Sequence, residues 1–140
     1  MVIKSIVHFE IPADDAEKLS KFYADTFGWK FEKAQMPGME YWVISTGPRR
    51  RSVGGGMYKK AGPDDRPKNF INVDDIDAAI VTFKANGGRE LVGKQEVPTM
   101  GWSFVGADPE GNTIALWEAM PMRARHAAKR KARRAKRGAS

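Results

Sequence analysis

The chain repeats itself once, at a constant offset of sixty positions. Asp15 is followed by Leu19, Phe22 and Tyr23 at helical spacing, then by Gly28 and an apolar strand from Trp29. Asp75 is followed in the same way by Ile76, Ala79, Ile80 and Phe83, then by Gly88 and a strand around Leu91. Asp15 matches Asp75, Tyr23 matches Phe83 and Gly28 matches Gly88 without a gap. The period is too long for a solenoid, and two copies are too few. The pattern is that of a duplicated half-domain, an arrangement suited to building a pocket between the halves.

Within each copy the residues order themselves as strand, helix and three strands. Residues 2–11 mix β-branched and apolar side chains as a strand does, and Pro12 is expected to end it. Asp14 or Asp15 can cap the helix that follows, Glu17 lies in its first turn where the dipole favours an acid, and Gly28 stops it. Strands are expected at 29–35, 41–46 and 53–58, with a turn at Met36-Pro37-Gly38 and an exposed loop at 47–51. Residues 60–67 have the composition of a linker. The order then recurs: a strand at 69–73, a helix at 75–86 stopped by Gly87-Gly88, and strands at 89–97, 101–107 and 112–118. The predicted class is α+β, with two tandem βαβββ modules (about 2–59 and 67–119) forming a curved mixed sheet with a cleft between them. Together they make one domain, residues 1–121.

The 140 residues are enough for one independent core, and the absence of cysteine excludes disulfides, thiolate metal sites and a cysteine nucleophile. The chain starts directly in a strand pattern and holds no apolar run long enough to span a bilayer, so a cytoplasmic protein with no membrane partner is expected. The net charge of +7 comes from one segment, because residues 123–137 hold nine basic side chains and no acidic one. Setting those nine aside leaves 15 basic against 17 acidic residues, so residues 1–122 carry −2. The body is mildly acidic and the tail, residues 122–140, is strongly basic and expected to be flexible.

The repeated β-α-β-β-β order, Phe22-Tyr23 followed by Phe27-Gly28-Trp29, and the closing Asp108-Pro109-Glu110-Gly111-Asn112 together resemble the vicinal oxygen chelate superfamily. That superfamily includes glyoxalase I, the bleomycin-resistance proteins and the extradiol dioxygenases, and the resemblance covers about residues 3–119. Its metal-dependent members place ligands on the first and last strands of each half. By that resemblance, His8 (fourteen residues before Phe22) occupies the first ligand position, and its repeat counterpart is Lys68. The last-strand positions fall near Gly55 and at Ala115. One position of four therefore holds a metal-binding side chain, whereas divalent sites of this kind need three or four. Glu10 shares the strand face of His8, and Glu118 is expected to point away from the face of Ala115.

His8 and Glu10 are the candidate catalytic residues, although a histidine satisfied by a backbone carbonyl and a solvated glutamate are the plain alternatives. Lys68 enters as a ligand-binding residue through the repeat; beside His8 its charge would depress the histidine pKa and favour an anionic or carbonyl-bearing ligand. Trp42, Trp102 and Trp117, with Tyr41, Tyr58 and Phe104, fall on sheet strands; some are ordinary core, and Trp42, Tyr58, Trp102 and Trp117 are expected to contribute to an aromatic pocket for a planar or amphipathic molecule. Gly54-Gly55-Gly56 lacks the lysine and following helix of a phosphate loop, so close approach across a strand is expected there. Asp14-Asp15 and Asp74-Asp75 sit where helix caps belong.

The function expected first is small-molecule binding of the glyoxalase/bleomycin-resistance type, with no metal or other cofactor. The alternative is a metal-dependent lyase, isomerase or dioxygenase using nickel, zinc, manganese or iron, with His8 as a ligand. A second alternative makes the tail the active surface, with Arg125, Lys129, Arg130, Lys131, Arg133, Arg134, Lys136 and Arg137 binding nucleic acid non-specifically. Homodimerisation is implied by the resemblance alone.

Overall fold

The computed structural model describes residues 2–36 and 38–138 and, in the last helix, all side chains except those of Met122, Arg123, Ala124, Arg125 and Ala128. Pro37 of the expected turn and the Arg125 side chain lie outside the described residues. The elements are β1(Ile6–Ala13), α1(Ala16–Phe27), β2(Lys30–Met36), β3(Met39–Ser45), β4(Gly55–Lys59), β5(Lys68–Asn72), α2(Ile76–Ala85), β6(Arg89–Val97), β7(Gly101–Ala107), β8(Thr113–Ala119) and α3(Met122–Gly138). They fall into two compact units, residues 5–71 and residues 72 onward with the first residues of the chain.

In the first unit the strands lie in the order β2-β3-β4-β1-β5. The β1–β4 pair is parallel and the others are antiparallel, so the sheet is mixed as expected. Asp15 caps α1 by accepting a hydrogen bond from the Lys18 amide, and Gly28 ends it at φ 72°, where a side chain would be strained. Helical and strand periodicities then bring apolar residues to one side of the sheet. Ala13, Ile44 and Met57 are buried there, packed by Phe9, Ile11, Leu19, Trp29, Phe31 and Trp42. Tyr23 stacks on Trp29 with ring centroids 4.9 Å apart.

One expectation for this unit is corrected. Pro12 does not end β1, which runs on to Ala13 with Pro12 opposite Tyr58. Pairing with β5 stops at Glu10, leaving that edge open, where a residue without an N–H is tolerated. The strand β5, with which the second βαβββ run begins, pairs with β1.

In the second unit β8-β7-β6 form an antiparallel sheet with α2 packed on one face. Asp75 caps α2 from the Ala78 amide, as Asp15 caps α1, while Asp74 accepts from the Val2 amide. Phe83 meets Phe104 edge-to-face at 5.6 Å. The repeated glycines differ in duty. Gly28 supplies a left-handed turn, whereas a Cβ on Gly88 would sit 2.3 Å from the Phe83 ring, and Gly87 takes the positive φ instead.

Residues 122–138 of the tail form the helix α3, in keeping with the high helix propensity of alanine, lysine and arginine. No helix among the described residues is long and apolar enough to cross a membrane.

Candidate functional site

The face of the first unit opposite its apolar core carries the chemistry. Side chains alternate along β1, so His8 and Glu10 point to that face while Phe9 and Ile11 enter the core. Direct pairing sets Phe70 beside His8 and Lys68 beside Glu10 on β5. On the other side Gly56 pairs with Glu10, and Tyr41 pairs with Tyr58.

Tyr41 lies on β3, two strands from β1, yet its phenol reaches Glu10. Gly56 on the intervening β4 makes this possible: a Cβ there would lie 1.7 Å from Tyr41 Oη and 2.1 Å from its Cζ. One residue earlier, Gly55 leaves room on the opposite face for the Phe9 ring, 2.6 Å from the position of its missing Cβ. The glycine run is therefore a double crossing, with one aromatic ring laid over each face of the strand.

Two parallel hydrogen-bond chains result. Tyr41 Oη donates to Glu10 Oε2 at 2.9 Å and lies 2.9 Å from His8 Nε2. Because the phenol has one proton and gives it to Glu10, His8 Nε2 carries a hydrogen and donates to Tyr41, leaving the imidazole lone pair on Nδ1. Lys68 Nζ likewise donates to Tyr58 Oη at 2.5 Å, and Tyr58 Oη donates to Asp65 Oδ1 at 2.6 Å. The Ala61 amide holds the other Asp65 oxygen at 3.0 Å. Each chain runs from a nitrogen donor through a tyrosine to a carboxylate.

Burial and charge set the protonation states. Desolvation lowers the His8 pKa, so the neutral imidazole is favoured; its side chain is 34% exposed and meets Phe70 edge-on. Lys68 does not contribute to that lowering, contrary to the expectation, because it lies beside Glu10 rather than His8, with its ammonium on Tyr58 and near Asp65. Desolvation raises the Glu10 pKa, against the opposing hydrogen bond from Tyr41 and the charge of Lys68. Burial, then the carboxylates they face, push both tyrosines well above the ordinary phenol range, so they act as donors. Burial alone would raise Asp65, but the hydrogen bonds from Tyr58 and Ala61 and the Lys68 charge leave it below its ordinary value.

The residues proposed from sequence divide between the two faces. His8, Glu10, Lys68 and Tyr58 come together. Trp42 does not: it lies on the core side, where the Lys33 ammonium is 5.7 Å from its ring. Trp102, in the second unit, shares its face with Phe104 and Glu118 on the α2 side, with the Lys94 ammonium 5.9 Å from its ring centroid. Trp117 lies on the face of its own unit away from α2, as does Ala115. Glu118 points the other way, accepting the Ile76 amide at 2.8 Å and so closing the start of α2. Asp65 was missed as a site residue, and Tyr41 was counted only among the strand aromatics. Tyr41 has a legible signal, the glycine at 56, whereas Asp65 hides in a segment that reads as linker.

A depression of about 390 Å³ bounded by Gly38, Met39, Glu40, Tyr58 and Lys59 touches this group only through Tyr58. The polar face, not the depression, gathers the titratable groups. For a divalent metal, the described residues of this group offer His8 and Glu10 with the Tyr41 hydroxyl set between them, and Asp65, which is held by Tyr58, the Ala61 amide and Lys68. Among the described residues no group of three or more His, Cys, Asp or Glu is placed to hold a metal ion. That donor set falls short of the three or four ligands such ions need.

The chain is 37% identical over 117 residues, 76% of its length and 88% of the other's, to a glyoxylase-like domain-containing protein of Didymella fabae. It is 25% identical over 130 residues to a Mycobacterium tuberculosis protein provisionally named a glyoxylase, and spans 44% of that protein's length. Among solved structures, methylmalonyl-CoA epimerase from Mycobacterium tuberculosis superposes with a TM-score of 0.61 at 18% identity, covering 89% of this chain and 96% of that one. The family model described as Glyoxalase/Bleomycin resistance protein/Dioxygenase superfamily matches residues 5–116. The twice-repeated βαβββ order agrees with that match, and the chain belongs to the glyoxalase/bleomycin resistance protein/dioxygenase superfamily.

Proposed function

We propose that the protein binds a small molecule bearing a carbonyl or anionic group on the polar face of β1, β3, β4 and β5, without a metal ion. The observation that carries this reading is the position of Tyr41 Oη, 2.9 Å from both His8 Nε2 and Glu10 Oε2. The pair that a metal would need as bare donors is engaged in a hydrogen-bond chain, and Gly56 supplies the room for it. Lys68 Nζ, which gives one of its three hydrogens to Tyr58, can donate another to a carbonyl or carboxylate oxygen, and His8 Nδ1 can accept from a hydroxyl or N–H of the same ligand. The glyoxylase-like relative and the epimerase fold match are consistent with a small organic ligand.

The test is metal content. Purified protein is exposed to nickel, zinc, manganese and ferrous iron, desalted and assayed, with His8→Ala as control. We expect no stoichiometric ion, and a thermal-shift screen of small carboxylates and carbonyl compounds whose hits are lost in Lys68→Met and Tyr41→Phe. One tightly held ion per chain, absent from His8→Ala, refutes the reading in favour of a metal-dependent lyase, isomerase or dioxygenase. Pairing of two copies, suggested by the family, is tested by sedimentation.

A further inference from the structure

The helix α3 has no place in that reading, and its surface is unlike the rest of the chain. Lys129, Arg130, Lys131, Arg133, Arg134 and Lys136 are all exposed, and no acidic residue occurs from 122 to 138. Among the described residues none of these six forms an ion pair. At about 100° per residue they cover roughly 220° of the helix circumference, with Ala132 and Ala135 on the remaining strip.

We propose that α3 binds nucleic-acid duplexes through the phosphate backbone, without sequence preference. Charge complementarity selects a polyanion, and two features select a duplex over a lipid surface. An interfacial helix needs a face of large apolar residues, whereas residues 126–138 contain no Trp, Phe, Leu, Ile, Val or Met. Cations spread over more than half the circumference can meet phosphates on both walls of a groove, while a flat membrane engages one side. No aromatic side chain is interleaved for stacking, so single-strand recognition and base reading are not served. Like charges at Lys129–Arg133, Arg130–Arg134 and Arg133–Lys136 oppose the free helix, and phosphate contacts relieve that repulsion. Binding is therefore expected to increase helicity.

The experiment titrates the full-length chain into a fluorescein-labelled 24-base-pair DNA duplex by anisotropy, between 50 and 200 mM NaCl. Neutralising four to five phosphates weakens binding roughly 150–500-fold over that range. Duplexes of shuffled sequence should bind equally. Replacing all six residues by glutamine should abolish measurable binding at 150 mM salt and leave the thermal melt unchanged, since all six are exposed. The triple variant R49Q/R50Q/R51Q, in an exposed loop, should bind like the parent. The proposal is overturned if the six-fold variant binds as the parent does, or if the loop variant loses as much. It is also overturned if vesicles containing phosphatidylserine displace the duplex at equal charge, which would identify a lipid surface.

Discussion

Gly56→Ala is the change that most directly probes the site. The added Cβ would lie 1.7 Å from Tyr41 Oη, so the phenol must leave its position between His8 and Glu10. Two hydrogen bonds are lost. The one to the Glu10 carboxylate is worth about 1.5–3 kcal/mol and the one from His8 about 1 kcal/mol. Alanine in a strand recovers about 0.5–1 kcal/mol of backbone entropy. The net expectation is a loss of about 2–3 kcal/mol, or roughly 6–15 °C in melting temperature for a chain of this size. Urea unfolding followed by tryptophan fluorescence measures it. The decisive comparison repeats the substitution in a Tyr41→Val background, where nothing stands over residue 56 and Gly56→Ala should be neutral or slightly stabilising. A coupling of about 2 kcal/mol between the two positions is therefore expected. An equal cost in both backgrounds would show that Tyr41 does not cross at Gly56, and the description of the site would fail with it.

Other expectations concern neighbouring groups. Tyr41→Phe keeps the ring but strands two half-buried polar groups and should cost about 1–3 kcal/mol, read by the same unfolding curves. Because the folded-state pKa of His8 is depressed, its contribution is present above the ordinary value of 6.5 and is lost as pH falls below it. His8→Gln should flatten that part of the stability profile, and an unchanged profile would contradict the assignment. Glu10 has the opposite sign: its folded-state pKa is raised, so its ionisation costs stability as pH climbs from 4.5 through the raised value. Glu10→Gln should therefore gain relative to the parent as pH rises above 4.5 in thermal melts. At α2, Glu118→Ala frees the Ile76 amide and should cost about 1–2 kcal/mol, with Glu118→Gln milder because its amide oxygen still accepts.

Much of the fold is legible in the chain because it rests on local physics. Asp15 and Asp75 announce helix starts because a short acid satisfies amides that a new helix leaves unpaired. The sixty-residue offset discloses the duplicated order because equivalent apolar positions must recur for equivalent packing. Even the glycine run could be read as a close crossing, since it lacked the lysine and helix of a phosphate loop. His8 was reached through the family resemblance, Lys68 as its repeat counterpart, Glu10 by strand alternation and Tyr58 as an aromatic on a predicted strand. Strand ends were less legible, and Pro12 misled because whether a strand tolerates proline depends on which edge is paired.

What the sequence could not settle is which face an aromatic takes and which distant residue completes a cluster. Trp42 and Trp102 have the same composition signal as a ligand-lining tryptophan, and only the register of β3 and β7 puts them on the helix side. Asp65 joins Tyr58 and Lys68 because the segment after β4 folds back to β5, a long-range closure that no linker composition encodes. Tyr41 reaches Glu10 from thirty-one positions away across a strand that lacks a side chain at one residue. The sequence by itself determined the duplicated βαβββ order, the helix limits and the charge of the tail, all short-range or periodic properties. Only the tertiary structure decided that two tyrosines would each link a nitrogen donor to a carboxylate, because that depends on strand register, and register is fixed by the whole core at once.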